Sequence, residues 1–143
     1  MTRITFYLGA DESARARHLL ACRIAEKAWR TGHEVYIHTA SPDVTSEMDE
    51  LLWTFRDGAF VPHVLAGTDD DPARVVIGHD PEQPGSREHD VAINLSDEVP
   101  VFFGRFHRLA EVVAGDPEQR RLARERYRFY RDRGYSLETH ELG

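Results

Sequence analysis

The chain has 143 residues and a formal net charge of −7, and 41% of its residues are hydrophobic. That size and composition suit one domain over residues 1–143 with one core, and exclude a largely disordered chain. No apolar run approaches the roughly 18 residues of a spanning helix and the N-terminus lacks the signal-peptide pattern, so no membrane contact is expected.

Residues 4–8 (ITFYL) form a short β-prone apolar run, predicted as a first strand buried on both faces. Asp11 or Ser13 can cap the next segment, where Ala14, Ala16, Leu19, Leu20, Ile24, Ala25 and Ala28 recur at helical spacing up to Thr31-Gly32. Residues 35–37 read as a second strand. Ser41-Pro42-Asp43 then starts a helix that runs through Met48, Leu51 and Leu52 to Trp53. Strand–helix–strand–helix order predicts an α/β fold with a parallel sheet and right-handed crossovers. Later strands are expected at residues 75–77 and 91–95. Residues 106–113 fit strand or helix, and strand is preferred because Gly115-Asp116-Pro117 already opens a new helix. The stretches 67–74 (GTDDDPAR) and 79–90 (HDPEQPGSREHD) are turn-rich connections rather than domain linkers.

Chemistry-bearing patterns are sparse. A dinucleotide site needs a glycine-rich turn after the first strand, where backbone amides meet the pyrophosphate. Here that turn is Leu8-Gly9-Ala10-Asp11-Glu12, with one glycine and two acids. The eight histidines lie in different predicted elements without metal-ligand spacing. Cys22 is the lone cysteine, so it has no internal disulfide partner, and a reducing cytoplasm is the natural compartment. It sits in an amphipathic helix and reads as a small core residue. No catalytic group, cofactor or metal is therefore expected. A small nucleotide-binding protein on this fold stays as an alternative.

Residues 116–135 (DPEQRRLARERYRFYRDRGY) are the most distinctive stretch. Asp116 and Pro117 mark a helix start and Gly134 its end. The stretch holds seven arginines against four acids, a local balance of 7 − 4 = +3, which leaves −7 − 3 = −10 for the rest. Arg120, Arg124, Tyr127, Arg128 and Arg131 fall on one stripe, while Leu122, Ala123, Phe129 and Tyr130 make a neighbouring stripe that can pack inward. Two readings stand: a solvated helix laced with pairs such as Arg121–Glu125, or a cationic face offered to a specific anionic partner. Direct DNA binding through this helix is a further alternative, and overall acidity argues against it. Trp53, Phe55 and Phe60-Val61-Pro62-His63 either cover one sheet edge or form an apolar patch on which a partner docks.

These same stretches resemble a known family. MDELLW, FVPHVLAG and LARERYRFYRDRGY, with ITFYL and RIAEKAWRTGHEVYIHT before them, are similar to the chi subunit of bacterial DNA polymerase III holoenzyme from end to end. The resemblance implies a single three-layer Rossmann-like domain with a mostly parallel sheet, flanking helices and a C-terminal basic helix. It implies a non-catalytic, cytoplasmic accessory of the clamp-loader complex, acting at the nucleoid-associated replisome. Such a subunit links the replicase to single-stranded DNA-binding protein (SSB) by holding its acidic C-terminal tail, which ends in a Pro-Phe carboxylate, and so meets DNA mainly through SSB. Arg120, Arg124, Tyr127 and Arg128 match the family's tail-binding positions, and Arg131 is expected to help steer the tail's acids. Trp53, Phe60 and Pro62 match a second face, used by the psi subunit of the clamp loader or, in some relatives, by a repair helicase. Residues 67–90 depart from the family in length and composition.

Overall fold

The computed structural model describes residues 1–67, 74–80 and 90–142. The expected connections at 67–74 and 79–90 lie mostly outside the described residues. The elements run β1 (Arg3–Gly9), α1 (Ala14–Arg30), β2 (Val35–His38), α2 (Pro42–Thr54), β3 (His63–Leu65), β4 (Val75–Gly78) and β5 (Val91–Asn94). A short 3-10 turn (Phe103–Arg105) precedes β6 (Arg108–Val113), followed by α3 (Pro117–Asp132) and β7 (Ser136–Leu142). The seven strands make one sheet in the order β3-β4-β2-β5-β6-β1-β7. Every pairing in it is parallel. The fold is therefore α/β and Rossmann-like, and residues 106–113 resolve into a turn and a strand.

Local chemistry explains the helix boundaries. Ser13, Ser41 and Asp116 each accept a backbone N–H of the first turn, from Ala16, Val44 and Gln119 respectively. Two of these helices also carry proline at their start, where its missing N–H costs nothing. Past α3, Gly134 adopts φ +80°, the left-handed conformation that ends the helix and turns the chain into β7.

The sheet separates two apolar clusters. On one face α1 and α2 pack Leu20, Cys22, Ala25, Met48 and Leu52 against Ile37, Ile77 and Ile93. Cys22 is fully buried, and burial pushes its thiol up to about 12, as suits a core residue. On the other face α3 and the 3-10 turn cover Ile4, Phe6, Tyr36, Leu109 and Val113. Strand alternation divides β1 between the faces: Ile4, Phe6 and Leu8 point towards α3, while Tyr7 packs against the α1 side.

Two strands escape the periodicity argument. The β7 segment SLETHEL is mostly exposed and lacks apolar alternation. It becomes a strand because the open edge of β1 offers it a ladder from Arg3↔Ser136 to Gly9↔Leu142. At the other edge β3 is only three residues long and starts directly after Pro62, which cannot donate to a ladder.

A buried histidine gives the fold a pH dependence. His38 is 6% exposed, its ring centroid lies 5.1 Å from that of Phe102, and its Nδ1 has no hydrogen-bond partner among the described residues. Burial first, then the neighbouring His79, pushes its pKa down from 6.5 to about 4. Between those values the unfolded chain binds a proton that the folded chain refuses. Stability is therefore expected to fall as pH drops through that window, by up to about 3 kcal/mol for this group. Half-buried His18 is shifted the same way by burial. Urea unfolding of the parent and of His38→Phe at about pH 7 and about pH 4.5 isolates the His38 contribution. A shallower acid fall in His38→Phe is expected; equal falls would remove His38 from the account.

Candidate functional site

The helix α3 has three faces. Ala123, Arg126 and Tyr130 point inward and are buried. Arg121 lies on a solvated face, paired with Glu118 at 2.6 Å and Glu125 at 3.0 Å. The Arg121–Glu125 lattice expected from the sequence is therefore present, but away from the groove side. The third face carries Arg120, Arg124 and Tyr127 along a groove of about 210 Å³ between α3 and the β1–β7 edge.

Phe6 and Leu8 of β1 and Ala123 of α3 make the groove floor, and Thr139 of β7 stands on its far side. Tyr127 leans over Phe6 with ring centroids 5.4 Å apart. Arg124 is exposed at the lip, and its side chain makes no ion pair or hydrogen bond among the described residues. Arg120 is half-buried and donates one N–H to the Gly9 carbonyl at 3.0 Å, which anchors the start of α3 to the end of β1. Arg128 is exposed one turn beyond Arg124 and is likewise unpaired among the described residues. Arg131 sits on the last turn beside Asp132 at 3.4 Å, with both side chains exposed. The five expected residues thus divide: Arg120, Arg124 and Tyr127 line the groove, while Arg128 and Arg131 continue the cationic stripe outside it.

The floor of this groove has only a faint mark in the sequence. Phe6 and Leu8 belong to an apolar strand that reads as core, and Thr139 lies on a strand without a pattern of its own. The i, i+2 spacing of Ile4, Phe6 and Leu8 is the available signal, since it puts them on one side of β1.

What orients α3 is a buried polar network. Glu111 of β6 is fully buried and accepts from Arg126 Nε at 3.0 Å, Tyr130 Oη at 2.6 Å and Asn94 Nδ2 at 2.9 Å. Arg126 also donates to the Asp97 carbonyl at 3.1 Å. Burial and Glu111 together raise the Tyr130 phenol well above its usual range, so it stays a donor. Arg17 of α1 joins the same region through the Ser96 and Val112 carbonyls and the Asp97 carboxylate. Arg126 counted among the cations of the helix in the sequence; its environment makes it an internal tie.

At the far sheet edge Trp53 and Phe60 come together. Trp53 is 43% and Phe60 63% exposed, with their rings 5.5 Å apart, and Pro62, which precedes His63 in the chain, is half-buried. Trp53 lies over His63 at 4.5 Å, and the His63 ring is held by the Val61 carbonyl at 2.7 Å and the Asp49 carboxylate at 2.9 Å.

At the turn after β1, Asp11 accepts the Ser13 N–H, and this hydrogen bond holds its carboxyl below the usual range. An acid thus occupies the place where a Rossmann site would receive phosphate. Among the described residues no group of three or more histidines, cysteines and carboxylates is placed to hold a metal ion, and no helix is long and apolar enough to cross a membrane.

Fold and surfaces together define a Rossmann-like α/β protein with a cationic groove at one sheet edge and an aromatic patch at the other. The sequence model of the family described as DNA polymerase III chi subunit, HolC, matches residues 1–138. The chain belongs to the DNA polymerase III chi subunit family, whose work is in DNA replication. It is 48% identical to the DNA polymerase III subunit chi of Pseudomonas aeruginosa, over 99% of this chain and 98% of that protein. The proteins of the same name from Haemophilus influenzae and Escherichia coli are each 32% identical, covering 96% and 97% of this chain and the same shares of their own.

Proposed function

We propose that this protein is a non-catalytic adaptor that links the replicase to SSB by holding the SSB C-terminal tail in the groove between α3 and the β1–β7 edge. The observation that carries this reading is Arg124, unpaired among the described residues, at the lip of a small apolar groove floored by Phe6, Leu8 and Ala123. A C-terminal phenylalanine presents both matching parts, an aromatic ring and a carboxylate one residue-length apart. The ring enters beside Tyr127, and the guanidinium of Arg124 receives the carboxylate, with two parallel N–H donors available for it. Arg128 and Arg131 continue the positive stripe and steer the acidic residues upstream. Arg120 serves mainly to hold the groove's upper end, since it is tied to Gly9.

The second face, Trp53, Phe60 and Pro62, is the proposed dock for the psi subunit of the clamp loader or for a repair helicase. Its support is the exposure of two adjoining aromatic rings on a rigid base made by His63.

Titrating a fluorescent peptide that copies the organism's own SSB C-terminus, with and without its last phenylalanine, tests the tail reading. Burial of a phenylalanine contributes about 1.5–3 kcal/mol, so removing it is expected to weaken binding by roughly ten- to a hundredfold. Arg124→Ala should cost a similar factor, because a hydrogen bond to a charged group contributes about 1.5–3 kcal/mol. Affinity should also decline with salt. Equal binding of the truncated peptide, or full binding by Arg124→Ala and Tyr127→Ala, would sink the proposal.

A further inference from the structure

The opposite face of β1 carries a second cationic site. Between the C-terminal half of α1 and strands β1 and β6 lies a hollow of about 220 Å³. Ala28, Leu109 and Ala110 contribute apolar lining, and Thr5 and Tyr7 add hydroxyls. Lys27 and Arg108 stand in its lining, both exposed, and neither side chain has an ion pair or hydrogen bond among the described residues. Arg3 pairs in register with Arg108, and alternation puts it on the same side of β1 as Thr5 and Tyr7, next to this hollow.

Beside the hollow the sheet lies open as a ledge. Tyr7 of β1 and His140 of β7, partners in register, stack with ring centroids 5.5 Å apart and planes 21° apart. His140 is about half exposed. A flat aromatic pair next to exposed cations is the combination that single strands use, with bases on rings and phosphates on cations. Among the described residues no acid lines the hollow itself, and Asp90 and Glu138 beside it are engaged. Asp90, at the lower end, is held by His33 at 3.0 Å and by the Glu34 N–H. Glu138, the acid of the ledge, is on β7 in register with Thr5 and is engaged by His140 at 3.8 Å.

We propose that this hollow and ledge form a contact site for single-stranded DNA, with phosphates on Lys27 and Arg108, assisted by Arg3, and a base stacked on Tyr7 and His140. The site lies across β1 from the tail groove, whose floor is Phe6 and Leu8, so the two can be occupied together. The net charge of −7 keeps the protein from coating DNA. A short local contact of this kind is weak on its own and gains its effect from a strand already held close by another contact.

The test is anisotropy of a short fluorescein-labelled oligothymidylate with the full chain at low salt, in parallel with the labelled tail peptide. Saturable DNA binding is expected, with a log–log salt slope of about −1.4 for two phosphate contacts. The Lys27→Glu/Arg108→Glu double variant should lose tenfold or more of that affinity and keep its tail binding. Tyr7→Ala should weaken DNA binding by about tenfold, the scale of one stacked base. Arg124→Ala should leave it unchanged, and excess tail peptide should not displace the strand. No binding at low salt would overturn the proposal. So would full binding by the double variant, or loss of binding in Arg124→Ala.

Discussion

Replacing Arg126 by methionine is expected to lower the free energy of unfolding by about 3–5 kcal/mol, a large share of what a domain of this size possesses. The reason is the position of Glu111, not the loss of an attraction. Glu111 and Arg126 are 0% and 3% exposed, and their contact is 3.0 Å. Without the guanidinium, the Glu111 carboxylate keeps the Tyr130 hydroxyl and the Asn94 amide as donors among the described residues, and its buried charge loses the cation in contact with it. Glu111→Leu should be similarly costly, because it strands Arg126, whose second terminal nitrogen already lacks a partner among the described residues. The double variant Glu111→Leu/Arg126→Met should recover much of the loss, since a buried pair exchanged for apolar residues is often near neutral. Urea unfolding of the parent, both single variants and the double variant measures this cycle. A loss below about 1 kcal/mol in Arg126→Met would show that water reaches the pair, and would dissolve the network account.

Gly115→Ala is the second substitution expected to be severe. A Cβ at Gly115 would lie 2.2 Å from the Ala10 carbonyl oxygen and 2.7 Å from its carbon. Both are backbone atoms at the end of β1, so no rotamer change relieves the overlap. The Gly115 N–H also donates to the Asp11 carbonyl at 2.9 Å, and that bond would be pushed apart with the two turns. A loss of about 3 kcal/mol, the upper end for overpacking, is expected in urea unfolding. The tail peptide should bind Gly115→Ala more weakly as well, because the start of α3 moves relative to β1 and the Arg120–Gly9 tie crosses that junction. Wild-type stability in this variant would mean that the turn yields freely.

Much of this architecture is legible before any tertiary information. The caps Ser13, Ser41 and Asp116 and the glycine at 134 announce the helices chemically, because an orphan backbone N–H or carbonyl at a helix end needs a specific kind of residue. Strands buried on both faces, such as VYIH of β2 and VAIN of β5, announce themselves as apolar runs. The cationic stripe of α3 was readable for the same reason, since helical periodicity alone brings Arg120, Arg124 and Tyr127 together.

What was not legible depends on partners distant in the chain. Nothing local distinguishes Arg126 from the arginines around it, yet it faces Glu111 on β6 and is buried. The same holds for Phe6 and Thr139, which meet α3 only because β7 pairs with β1.

The amino-acid sequence by itself determined the α/β class, the helix ends, the family and the position of a basic aromatic helix on an acidic chain. These follow from backbone capping, residue periodicity and charge, each of which acts over a few neighbours. Only the tertiary structure decided which arginines are internal ties and which are free to meet a partner. It also decided that β7 closes one side of the groove and opens a ledge on the other face of β1. Desolvation sets a charged group's role, and desolvation is a property of everything packed around it.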